Sequence, residues 1–73
     1  MRGYKHNSRF GPVFIVPKQG RWHIVYNDED LGSYHTPAAA ANDAAGGHTF
    51  TPSNGIDLDR LNLSDDLGDW ETF

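Results

Sequence analysis

The chain has 73 residues, no cysteine, 22% charged residues and a net charge of −4 at neutral pH. That length allows a single domain with a thin core, since small domains bury only about 60% of the surface their unfolded chains expose. Disulfides, thiolate metal sites and thiol catalysis are excluded with the cysteines, and no apolar run approaches the ~20 residues of a membrane span. The segment Met1–His6 lacks the apolar stretch of a signal peptide, which leads to the expectation of a soluble, cytoplasmic protein. The charge is segregated: residues 1–27 carry +5 and residues 28–73 carry −9. Such asymmetry on a small chain implies a partner, or docking of one half on the other.

Residues 1–11 show no periodicity and are expected to form a flexible arm. Val13-Phe14-Ile15-Val16, framed by Pro12 and Pro17, has the β-branched and aromatic content of a strand. The flanking prolines, which cannot donate to a ladder, point to an edge position. After the turn Lys18-Gln19-Gly20, the run Arg21–Tyr26 places Trp22, Ile24 and Tyr26 on one face and Arg21, His23 and Val25 on the other. A polar turn, Asn27–Asp30, precedes a third and weaker strand over Leu31–His35. Three short strands joined by tight turns predict an antiparallel meander.

Thr36 is a good N-cap, Pro37 suits the first helical position, six alanines follow within 38–45, and Gly46-Gly47 provides the stop. A helix of ~10 residues is marginal alone, so its alanines are expected to lie on the sheet under Trp22, Ile24 and Tyr26. The fold class is therefore α+β, with residues 12–50 as a sheet–helix core. Residues 51–73 form an acidic segment in which Ile56, Leu58, Leu61, Leu63, Leu67, Trp70 and Phe73 are spread among aspartates. Ser64 followed by Asp65-Asp66 suggests the start of a short terminal helix, weakened by Gly68. The segment is expected to dock on the domain through Leu61, Leu63, Leu67 and Trp70.

Four histidines, His6, His23, His35 and His48, stand 12 to 17 residues apart with no helical or alternating pair, so no metal site is expected. Asp57–Asn62 begins like a calcium loop but has Leu61 and Asn62 where an oxygen ligand and a glycine are required. No serine sits at a strand-to-helix elbow, Asp28, Glu29 and Asp30 lie in an exposed turn, and Gly46-Gly47 follows a helix instead of opening one. No enzyme, cofactor or small-molecule substrate is predicted. Arg9, Lys18 and Arg21 interleave with Tyr4, Phe10 and Phe14, a mixture that suits phosphate contact and base stacking. The acidic balance of the whole chain opposes that reading. The acidic tail offers a different surface, with Leu63, Leu67, Trp70 and Phe73 as candidate protein contacts, either for a partner or for the chain's own basic half.

Gly20-Arg21-Trp22 and Leu31-Gly32-Ser33-Tyr34-His35-Thr36, leading into an alanine-rich helix, resemble the AP2-type DNA-binding domain over residues 12–45. That resemblance implies a three-stranded sheet on one helix, with Arg21 and Trp22 on a DNA-facing sheet. The first strand lacks the arginines that such domains aim at bases, the helix is much shorter, and the acidic tail has no counterpart. Over most of residues 12–71 the chain also resembles a group of short bacterial proteins classed as a domain of unknown function. The shared features are Trp22, Leu31–Tyr34, Gly46–Phe50 and the closing Asp66–Glu71. The function expected from these observations is a non-catalytic protein-interaction or accessory module, with an unidentified protein as partner. Weak nucleic-acid binding through Arg9, Lys18, Arg21 and Trp22 is the alternative.

Overall fold

Two tight hairpins organise the chain. In the computed structural model, which describes residues 3–73, β2 (Val13–Lys18) and β3 (Arg21–Tyr26) are joined across Gln19-Gly20, and β3 and β4 (Glu29–Tyr34) across Asn27-Asp28. All four turn residues have positive φ, between 54° and 78°. This is the two-residue geometry whose twist matches that of paired strands, and Gly, Asn and Asp tolerate it best. The compact second turn is why β4 begins at Glu29, two residues before the strand expected at Leu31. β4 ends at Tyr34, and between the His23–Ser33 and Val25–Asp30 pairs the register shifts by one residue. Leu31 and Gly32 together oppose Ile24 there, forming a bulge.

The sheet has five strands in the order β4-β3-β2-β1-β5, where the sequence led us to expect three. The additional strands come from the two segments with the weakest periodicity. Tyr4–His6, expected in a flexible arm, is β1 and pairs with β2, Tyr4 facing Ile15 and His6 facing Val13. Met1 and Arg2, which also belong to that arm, lie outside the described residues. Glu71–Thr72 is β5 and pairs with β1. The loop between β1 and β2 is closed by its own bonds: Gly11 N–H donates to the Ser8 carbonyl at 3.2 Å, and the Ser8 hydroxyl donates to the Gly11 carbonyl.

β2 is thus central, against the edge position that Pro12 and Pro17 suggested. The prolines are accommodated by register. The last β1 partner on β2 is Ile15, so Pro17 lies two residues past the described pairing, and Pro12 precedes the strand. Neither proline is asked for an N–H that the ladder needs.

The single α-helix, α1 (Pro37–Gly46), forms where expected. The Thr36 hydroxyl accepts from Ala39 N–H at 3.1 Å. Gly47 at φ 73° lets its own N–H and that of His48 return to the Ala44 and Asp43 carbonyls, the Schellman arrangement that favours glycine at this position. Ala40, Ala41 and Ala44 are fully buried against the sheet together with Val13, Ile15, Ile24, Tyr26 and Leu31. The tail completes this core. It carries two short 3-10 turns, Leu58–Leu61 and Leu67–Asp69, in place of the expected terminal helix. The second turn is capped by the Asp66 carboxylate, which accepts from Gly68 N–H.

Leu58 is completely buried, Leu61, Leu63 and Trp70 nearly so, while Leu67 is partly buried against the same cluster. Full burial of a leucine contributes about 1.5–3 kcal/mol, so tail and sheet form one core. The tail docks through apolar side chains. Among the described residues the Lys18 ammonium and the His23 ring both contact the Asp30 carboxylate, and neither contact involves the tail. Polar bonds fix it in place: Tyr26 donates its hydroxyl to the Phe10 carbonyl at 2.9 Å and accepts from Asn54 at 3.2 Å. Trp70 donates its indole N–H to the Ser64 carbonyl at 2.9 Å.

Candidate interaction face

Helix and tail cover one side of the sheet, and alternation of side chains determines what remains on the other. The register puts Lys18 beside Arg21, then Val16 beside His23 and Ser33, then Phe14 beside Val25 and Asp30, with Lys5 next to Phe14 and Glu71 next to Lys5. None of these side chains belongs to the buried core. The centre of the face is apolar. Phe14, Val16 and Val25 are half-buried by their neighbours, and Phe73, 55% exposed, packs edge-on against Phe14 with ring centroids 5.8 Å apart.

Phe73 is held on this face by the two chain ends. Its N–H donates to the Gly3 carbonyl and its carbonyl accepts from Gly3 N–H, both at 3.1 Å. A methyl group on Gly3 would lie 2.9 Å from both the Ile15 carbonyl oxygen and the Phe73 ring. Gly3 is therefore the residue that lets Phe73 cross β1 and reach Phe14.

The charged groups around this centre are partly tied to one another. Asp30 accepts from His23 Nδ1–H at 2.6 Å and from Gly32 N–H at 3.1 Å, and lies 3.8 Å from the Lys18 ammonium. Arg21 donates to the Ser33 hydroxyl and carbonyl at 3.1 and 3.3 Å, which fixes the guanidinium along the sheet. Among the described residues two ionisable groups depart from their usual behaviour, both away from this face. Glu29 is held below the ordinary carboxylate range because the Ser53 hydroxyl and N–H donate to it. Tyr34 is pushed above the ordinary phenol range, first by burial and then by the Asp43 carboxylate beside it.

Of the residues considered for nucleic-acid contact, Lys18 and Arg21 share the open face. Trp22, the neighbour of Arg21, points to the opposite side and packs against the core next to Tyr4, ring centroids 5.8 Å apart. Arg9 lies in the β1–β2 loop with its guanidinium 5.3 Å from the Phe10 ring. That loop is at the other end of β2 from Lys18, a strand length of about 20 Å away. The four residues thus do not form one patch. Of the candidate protein contacts in the tail, Leu63 and Trp70 are buried in the core, Leu67 is partly buried, and Phe73 is on the open face.

The parity of Phe14 and Val16 was hidden in the sequence by the continuous apolar run Val13–Val16. The contact between residues 14 and 73 had no local signal, since it depends on strands formed by the two ends of the chain. A groove of about 470 Å³ runs along β4, lined by Leu31, Ser33, Tyr34, His48, Thr49 and Phe50, with Tyr34 and His48 as its titratable side chains. Among the described residues no group of three His, Asp or Glu converges in a way that could hold a metal ion. No protein-family model matches the chain, and no curated protein or solved structure matches it significantly.

Proposed function

We propose that this chain is a non-catalytic protein-interaction module whose working surface is the open side of its sheet. The observation that carries the reading is the Phe14–Phe73 pair: two aromatic rings stacked edge-on outside the core, flanked by Val16 and Val25 and rimmed by charged side chains. An apolar centre containing aromatic residues inside a polar rim is the anatomy of protein interfaces. Arg21, held by Ser33, adds a fixed cation of the type that anchors such contacts.

A photo-crosslinking phenylalanine analogue at position 14 is expected to give adducts with a protein in living cells. The same analogue at Phe50, which is 73% exposed but lies off this face, is expected to give none. Absence of protein adducts from position 14 contradicts the proposal. The second reading, weak nucleic-acid binding, is favoured by the placement of Lys5 beside Phe14 and of Lys18 and Arg21 further along the same face. Asp30 and Glu71 on the same face weigh against it. Phosphate contacts lose affinity steeply with salt, whereas an apolar contact does not. An interaction that disappears between about 50 and 200 mM salt would select this second reading.

A further inference from the structure

The open face carries opposite charges at its opposite ends. Arg21 opens β3 beside the β2–β3 turn and Asp28 lies in the β3–β4 turn, whereas Lys18 and Asp30 are paired with each other, 3.8 Å apart. These turns are at the two ends of β3, and Val16, Phe14 and Val25 lie between them. Among the described residues neither Arg21 nor Asp28 has an ion-pair partner within the chain. A two-fold axis in the plane of the interface, running across the strands, would set β3 of one copy antiparallel over β3 of another. Arg21 of each copy then faces Asp28 of its mate, and the apolar centres stack on each other. A symmetric interface requires this self-complementarity, because a face of one sign repels its own copy.

We infer that the partner of the open face is a second copy of this chain, held as a weak symmetric homodimer; the inference rests on the reading of that face as the working surface. Four strands about 4.8 Å apart and six residues of about 3.3 Å each give a footprint of roughly 300–400 Å² per copy. A standard interface covers about 800 Å² per partner, so the dimer belongs to the transient class. Its population should rise between about 10 µM and 1 mM, the range in which weak contacts of this size are populated.

Sedimentation equilibrium over that range, with the amide NMR spectrum as a check on folding, provides the test. The wild-type chain is expected to move from its 8.1 kDa monomer mass towards twice that value. Phe14→Ser removes the apolar centre and Arg21→Glu opposes acid to acid, so each should remain monomeric at every concentration. Arg21→Glu combined with Asp28→Lys exchanges the two ends and should restore association, a rescue that only a self-complementary face explains. A wild-type chain that stays monomeric at the highest concentration overturns the inference. So does a dimer insensitive to both single substitutions. Heterologous protein adducts at position 14 in a monomeric chain would keep the interaction module and remove the second copy as its occupant. Monomer mass together with absence of any adduct would remove both.

Discussion

Val13 and Ile15 are fully buried, whereas Phe14 and Val16, on the same strand, remain partly open to solvent. The two sides of β2 have similar hydrophobicity and different fates, because helix and tail cover one side only. Hydrophobicity along a strand therefore does not identify the core here; the elements that pack against it do. The covered side sets stability, and the open side is free for contact with another surface.

The largest effects should come from breaking the covered side. Ile24→Ala or Leu58→Ala is expected to cost about 2–5 kcal/mol, which for a chain of this size removes much of the folding free energy. Chemical denaturation should show similar losses for both, since sheet and tail share one core. A small loss for Leu58→Ala would separate the tail from the core. Trp70→Ala is expected to cost about 3–5 kcal/mol and to release the contact between the Trp70 and His6 rings, whose centroids are 5.1 Å apart. Phe14→Ser sharpens the comparison, since its loss should fall clearly below that of Ile15→Ala, measured in the same way.

Intermediate effects are expected at backbone positions. Gly3→Ala brings a methyl group against the Ile15 carbonyl and the Phe73 ring; overpacking of this kind costs about 1–3 kcal/mol. The Phe14 and Phe73 ring resonances should shift with it, which checks that the loss arises at their contact. Thr36→Ala removes the helix cap and should cost about 1 kcal/mol.

The smallest effects are those of pH. Glu29 has its folded-state pKa depressed, so its contribution is present above the unfolded carboxylate pKa and is lost as the pH falls through the lower folded value. Glu29→Gln should flatten the acid side of the stability curve slightly. Tyr34 has a raised pKa, so its contribution is present below the phenol range and is lost as the pH rises through the folded value. Tyr34→Phe should therefore flatten the alkaline side.

The parts of the fold written in local pattern were legible. Thr36-Pro37, the alanines and Gly46-Gly47 specify a helix with both ends marked, and Arg21–Tyr26 alternates cleanly. The strands at Tyr4–His6 and Glu71–Thr72 were not legible, because neither has enough residues for a periodicity and each exists only through its partner. Leu58 was not named as a tail anchor although Leu61, three residues on in the same 3-10 turn, was; the i, i+3 contact of a single short turn leaves too little period to pair them in the sequence. Of the candidate site, Lys18, Arg21 and Phe73 were named from sequence, but Phe14 was placed with the basic cluster and not paired with Phe73. That pairing depends on Gly3 and on the joining of the two chain ends.

The most direct test of the two-sided sheet is relaxation of methyl and aromatic NMR signals by a soluble paramagnetic chelate, recorded in dilute solution. The Val16 and Val25 methyls and the Phe14 and Phe73 rings should relax strongly, while Ile15, Ile24 and Leu58 remain protected. Protection of Val16 and Val25 equal to that of Ile15 in dilute solution would show the face to be covered within the chain, and would contradict the account.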